Sequence, residues 1–277
     1  MFVRSGKRAL RPILTAPAQD AAVTKIPTTP PLRIGIAGWS IPRQHAHLFG
    51  EGDSTLARYA TRFSAVEINS SFYRPHQRKT YERWATSVPG DFRFSVKLPQ
   101  TISHELALRG AGPALDRFFE QVDGLGRKLG GLLLQLPPSL AFDARSAATF
   151  FRVLRGRSAA PVACEPRHPS WFTAQAEALL QRHRIARVAA DPARVPEAAV
   201  PAGDASWRYW RWHGSPRIYY SEYGDAAVAE LAAQALVQGG ARSGIWVIFD
   251  NTAHGFAIPD AVRLQSRMNE AGNQARA

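Results

Sequence analysis

The sequence predicts an α/β fold: a single distorted (βα)8 TIM barrel preceded by a disordered N-terminal arm. Three observations predict it. Eight short apolar, β-branched or aromatic runs recur along residues 32–270 of the 277-residue chain. Stretches with helical spacing separate most of them, and successive runs begin about 30 residues apart, the size of a βα unit. Several runs are apolar on both faces, as strands of a helix-covered parallel sheet are.

Residues 1–31 carry five prolines and five cations (Arg4, Lys7, Arg8, Arg11 and Lys25) against the single acid Asp20. They show no sustained apolar period, so they read as a flexible basic arm. A secretory signal would need an apolar stretch of about 7–15 residues, which is missing. An Arg-rich organellar presequence is the alternative. At the other end, NEAGNQARA reads as frayed.

The strand runs begin at Leu32 (LRIGIAG), Ala65 (AVEIN), Phe92 (FRFSVK), Gly131 (GLLLQL), Pro161 (PVACE), Ala186 (ARVAAD), Trp207 (WRYWRWHG) and Ile245 (IWVIFDN). Between them, Leu115, Phe118, Phe119 and Val122 form an i, i+3, i+4, i+7 stripe. Phe150, Phe151 and Leu154 follow a candidate cap at Asp143. Leu179 and Leu180 mark the next helix, and the Ala-rich stretch after Asp225 the one before the last strand. One unit breaks the pattern. Pro192, Pro196, Pro201 and Gly203 leave no room for a full helix between Asp191 and Trp207. In the seventh run, Trp207, Tyr209, Trp210 and Trp212 are too many for one inward face, so some must point to the helices.

With 45% hydrophobic and 21% charged residues, the chain can bury a sizeable core. Its net charge is +13, of which the arm contributes +4. The barrel's own surplus points to an anionic partner, with DNA or RNA among the candidates. The single Cys164 excludes an internal disulfide framework, and a reducing, cytoplasmic setting is expected. No apolar run approaches the roughly 18–20 residues that span a bilayer, so no membrane partner is expected. There is no GxGxxG run, no GKS/T phosphate loop and no GxSxG elbow, which argues against dinucleotide binding, P-loop hydrolysis and α/β-hydrolase chemistry.

In a parallel barrel the chemistry lies at the C-terminal strand ends. Here nearly every strand exits into a polar or charged residue. In order they are Trp39 with Ser40; Glu67, Asn69 and Tyr73; Lys97; Gln135; Glu165, Arg167, His168 and Trp171; Asp191; Arg211 and His213; and Asp250 with Asn251. The segments GWS (38–40), EINSSFY (67–73), KLP (97–99), LLLQLPP (132–138), EPRHPSW (165–171), RWHG (211–214) and FDNT (249–252) resemble, in order and spacing, the domain of unknown function 72 family. The resemblance covers about residues 32–265. It implies a distorted TIM barrel of mostly bacterial origin and no settled activity. Three positions depart from the family pattern: Ile41 where an aromatic is usual, Ser71 for Thr, and Asp250 where Asn is more common. The last adds an acid at the mouth.

The strand-end inventory suggests roles. Glu67 and Glu165 are the candidate acid and base. Lys97, Arg167 and Arg211 form a candidate anion clamp. His168, Asp191 and His213 are candidates to transfer protons or orient the others. Trp39, Asn69, Tyr73, Gln135, Trp171, Asp250 and Asn251 are candidate ligand contacts. Each acid also has a structural alternative, the balancing of a buried Arg or Lys. His104, His168 and His213 with the acids are what a divalent metal would use. No HxH or HExxH pair specifies one, so neither metal nor cofactor is assigned. The leading expectation is a mouth site that binds and processes a phosphate-bearing ligand. One alternative is a non-catalytic nucleic-acid-binding module gripping through the arm and aromatics. Another is a metal-free lyase or isomerase of a small sugar acid.

Overall fold

The computed structural model describes residues 32–238 and 244–274, so the expected arm at residues 1–31 lies outside the described residues. Strands and helices alternate as β1 (Leu32–Ile36), α1 (Thr55–Tyr59), β2 (Ala65–Ile68), α2 (Arg78–Thr86), β3 (Arg93–Lys97), α3 (Gly112–Val122) and β4 (Leu129–Gln135). There follow α4 (Ala144–Arg155), β5 (Val162–Glu165) and α5 (Ala174–Arg182). The sixth unit holds β6 (Ile185–Arg187), β7 (Ala189–Asp191) and β8 (Ala202–Gly203). The chain continues through β9 (Trp207–Trp212), α6 (Asp225–Gln238), β10 (Gly244–Phe249) and α7 (Ala257–Gln274). The C-terminal stretch expected to fray continues α7 as far as Gln274, past residue 270.

The helices form for the reasons the sequence offered. Asp143 accepts a hydrogen bond from the Ser146 N–H at 2.8 Å and caps α4, which buries Phe150, Phe151 and Leu154. In α3 the stripe Leu115, Phe118, Phe119 and Val122 is buried against the sheet. The proline-rich sixth unit contains a short 3-10 turn (Pro196–Ala199) instead of a helix, as expected.

The strands pair in two sheets that meet at two seams, giving a distorted (βα)8 barrel. One sheet runs β2-β3-β4-β5-β6-β8 and the other β1-β10-β9-β7, and all pairs are parallel except β6 with β8. The first seam joins β1 to β2 through the bridge Ala37–Glu67 and the bond from Gly38 N–H to Glu67 O at 2.8 Å. At the second, the sixth barrel strand breaks at Val188: its first half pairs with β5 and its second with β9.

Side-chain alternation along β9 divides its aromatics. Trp207 and Tyr209 point into the barrel with Ala65, Leu133, Ala163, Trp246 and Ile248. Trp210 and Trp212 belong to the larger core under the helices. Gly131 is required here, because a Cβ would lie 2.5 Å from the Trp207 ring. The inward positions change character along the barrel, from apolar at the N-terminal end to polar and charged at the C-terminal mouth.

Candidate functional site

The alternation that sends Trp207 and Tyr209 inward also sends Arg211 and His213 inward, one layer at a time toward the mouth. Arg211 is fully buried and engages three carboxylates from three strands or strand ends. Its Nη2 lies 2.8 Å from Glu67 Oε1 and 2.9 Å from Asp250 Oδ2, and its Nη1 3.2 Å from Glu165 Oε2. The Tyr209 hydroxyl donates to Glu67 Oε2 at 2.8 Å and sits 3.0 Å from the Ser95 hydroxyl. Glu67 is therefore enclosed by partners and sealed from solvent. Burial works against the Arg211 charge, but Asp250, Glu67 and Glu165 outweigh it and hold the guanidinium well above its ordinary range. The same balance in reverse acts on Glu165. Burial would raise it, but His213, Arg211 and Arg167 hold it well below the usual carboxylate range.

His213 sits between two of these acids. Its Nε2 is 3.0 Å from Glu165 Oε1 and its Nδ1 3.0 Å from Asp250 Oδ2. Burial and Arg211 disfavour the charged ring, yet Glu165 and Asp250 prevail and raise its pKa above 6.5. Asp250 thus completes a carboxylate–imidazole–carboxylate row. A neutral Asn there would give His213 a hydrogen bond without the charge.

Arg167 closes the cluster from the β5 loop, donating from Nε and Nη2 to Glu165 Oε1 at 3.1 and 3.0 Å. Its side chain is 21% exposed, whereas Arg211 is entirely enclosed, so Arg167 is the arginine a ligand can reach. Beside it a cavity of about 120 Å³ is lined by Glu165, Arg167, Pro192, Arg194, His213 and Ile218. The Tyr219 ring packs edge-on against His213 at 6.0 Å. Tyr219 has φ +71°, a left-handed conformation that costs a non-glycine residue about 1 kcal/mol or more. Backbone bonds from Tyr219 N–H to His213 O and from Ala253 N–H to Tyr219 O hold it there.

Lys97 and Gln135 end β3 and β4, both buried; Lys97 is in register with Leu133, and Gln135 with Glu165. Asp250, Glu67, Glu165, Arg211, His213, Arg167 and Lys97 are thus the predicted residues that converge. The others are placed elsewhere. Asp191 accepts from the Tyr223 hydroxyl at 2.8 Å, and its carbonyl holds the His213 N–H at 2.7 Å. His168 caps the turn Pro169–Trp171, its Nδ1 taking the Ser170 N–H. Trp171 is buried and donates to Leu140 O. Asn251 ties Ser221 O and Asp260 together, at 2.9 and 2.7 Å. Trp39 packs edge-on against Trp84. The Asn69 side-chain oxygen is buried and has no hydrogen-bond partner among the described residues. Tyr73 is 68% exposed and borders a separate groove.

Sequence reasoning missed Tyr209, Ser95 and Tyr219. The period of two along β9 was the available signal for Tyr209; nothing local marked Tyr219. Among the described residues, no group of three His, Cys, Asp or Glu is arranged to hold a metal ion. The space among Glu67, Glu165 and Asp250 is filled by the Arg211 guanidinium.

The chain is similar to known proteins at three levels. A family profile described as "Protein of unknown function DUF72" matches residues 33–277. The UPF0759 protein YecE of Escherichia coli K12 is 30% identical over 178 residues, 62% of this chain and 63% of YecE. This chain's match therefore spans less than two thirds of that relative. The UPF0759 protein YunF of Bacillus subtilis is 26% identical over 202 residues, covering 65% of this chain and 69% of YunF. A DUF72 family protein of Enterococcus faecalis superposes with a TM-score of 0.73 at 22% identity, covering 86% of this chain and 95% of its own. One from Thermotoga maritima superposes with a TM-score of 0.72 at 21% identity, covering 86% and 99%. These two show a shared fold. The profile spans both seams of the barrel and every strand end of the charged cluster, and on that match the chain belongs to the DUF72 family.

Proposed function

We propose that the protein is an acid–base enzyme for a small anionic ligand, a phosphate-bearing one in the first instance, bound at the C-terminal mouth of the barrel. The observation that carries this reading is His213, held between Glu165 and Asp250 and bordering a cavity that also offers Arg167. A carboxylate held as low as Glu165 is a poor base near neutrality, so the group that exchanges a proton there is His213. Its Nε2 faces Glu165 Oε1, and both residues line the cavity, so the pair presents the proton to a ligand as a unit. Glu67 and Arg211 hold the frame instead of touching the ligand.

The anion site is narrower than a clamp of three cations. Arg211 is engaged by three carboxylates and Lys97 does not line the cavity, which leaves Arg167, together with Arg194, to meet the anion there. A cavity of about 120 Å³ suits a phosphate or a short organic acid. It is well below the roughly 300–1,000 Å³ of sites for larger ligands. A lyase or isomerase of a small sugar acid would use the same cavity with a carboxylate in place of the phosphate. Calorimetric titration with inorganic phosphate tests the site. Arg167→Met should weaken binding by about tenfold or more, the value of one charge-assisted contact. Equal affinity in the variant, or no binding by the parent protein, would refute the reading.

A second reading has one observation in its favour. Exposed Tyr73 borders a groove of about 260 Å³ with Arg74 and Arg117, an aromatic and two cations disposed as for a stacked base and its phosphates. Under that reading, single-stranded oligonucleotide binding falls steeply with salt and is lost on Tyr73→Ala or on deletion of residues 1–31. The mouth-site enzyme tolerates both changes.

A further inference from the structure

Among the described residues, Lys97 is a buried cation of the mouth that none of the carboxylates pairs with directly. It ends β3 and is 4% exposed. Among the described residues its ammonium forms no ion pair, because Glu67, Glu165 and Asp250 are engaged by Arg211, His213 and Arg167. Its near neighbour is instead the face of the Phe72 ring, 4.0 Å from Nζ. That ring is fixed in place: the Ser71 hydroxyl lies 2.6 Å from Lys97 O and 2.9 Å from Ile68 O, and the His104 ring packs edge-on against Phe72.

A charge so placed is costly. One aromatic face compensates a desolvated ammonium only in part, and a second cation beside it adds to the cost. Burial first, then Arg211, push the Lys97 pKa down to about 8, against the pull of Glu67, Glu165 and Asp250. The neighbouring His104 is lowered too, by burial and then by Lys97 and Arg167, so it does not restore the charge balance. The result is about one tenth free amine near pH 7, the state in which a lysine is a nucleophile. The chain's own composition sharpens the point. Of its 35 cations only five are lysines. Of the others in described residues, Lys79 is exposed on α2 and Lys128 donates to the carbonyls of Ala85 and Val88.

We propose that Lys97 is an imine-forming amine, and that its partner is an aldehyde or ketone carrying a carboxylate or phosphate whose anionic end turns to Arg167. This rests on the mouth being an anion site, as proposed above. The Nζ lone pair attacks the carbonyl carbon and forms the C–N bond, while the π pair moves to oxygen, which takes a proton. Nitrogen then releases a proton, and the carbinolamine hydroxyl leaves as water after taking another, giving C=N. His213 and Glu165, at the same mouth, would supply and recover these protons.

The test incubates the full chain with glyoxylate and cyanoborohydride, which reduces any imine to a stable secondary amine. Peptide mapping then reads the modification rate at each lysine. Acetaldehyde, which has no anionic group, serves as the second probe. At neutral pH Lys97 should be modified about tenfold faster than Lys79 by either aldehyde, because more of it is free amine. Its rate should level off above a pH of about 8. Glyoxylate should exceed acetaldehyde at Lys97, and Arg167→Met should abolish that excess. Fast labelling by both probes with no glyoxylate excess would keep the amine and refute the anion site. Lys97 labelling no faster than Lys79 with acetaldehyde would overturn the proposal, whatever Arg167→Met does to phosphate binding.

Discussion

At the scale of residues, the mouth is a set of charges that stabilise one another in a medium that would otherwise reject them. Arg211 shows this most clearly, since removing it leaves Glu67, Glu165 and Asp250 facing each other with no cation among them. Breaking a buried pair in this way costs about 3–5 kcal/mol. Arg211→Met should lower the urea unfolding free energy by at least that much, and a near-neutral effect would show that the network is not formed. His213 sets the pH response. Its folded-state pKa is raised, so its stabilising contribution is complete below 6.5 and is lost as the pH rises through the raised value. Glu165 and Asp250 are lowered, so theirs is present above their ordinary values of 4.5 and 3.8 and is lost as the pH falls through the lowered ones. Melting temperature should therefore decline on the alkaline side in the parent protein and much less in His213→Gln. The identities of these residues were legible from strand ends alone. Their pairing was not, because which inward side chains meet across a barrel depends on strand tilt and stagger, which no local pattern encodes.

At the scale of elements, the eight barrel strands, the capped α4, the striped α3 and the helix-less sixth unit were readable from periodicity and prolines, whereas the short antiparallel β8 was not. The break at Val188 was not, since ARVAAD is apolar throughout and gives no sign that its halves pair with different neighbours. Likewise, HPSW reads as a polar exit, yet it forms a turn that His168 caps and Trp171 anchors. The first seam is the element most sensitive to a small change. A Cβ on Gly35 would lie 2.2 Å from Ala65 O, so β1 and β2 can approach only with glycine at that position. Gly35→Ala should cost about 1–3 kcal/mol as the seam opens, read as a lowered melting temperature. An unchanged melting temperature would mean that the seam is looser than described.

At the scale of the molecule, the basic surplus and the barrel meet in one place. Part of the +13 charge lies in residues 1–31, and part is neutralised inside the mouth, so net charge alone overstates how much of the protein is shaped for a polyanion. What the barrel offers at its C-terminal end is a rigid frame of Arg211, Glu67 and Tyr209. Above it lies a reachable layer of Arg167, Glu165 and His213. This layer is expected to hold a charged imidazolium beside a bound anion. The most direct measurement follows the His213 ring signals by NMR between about pH 5 and 9, with and without sulfate. The expected result is a ring protonated on both nitrogens, titrating above 6.5 and shifting further upward when sulfate binds. A ring that titrates at or below 6.5 and ignores sulfate would contradict it.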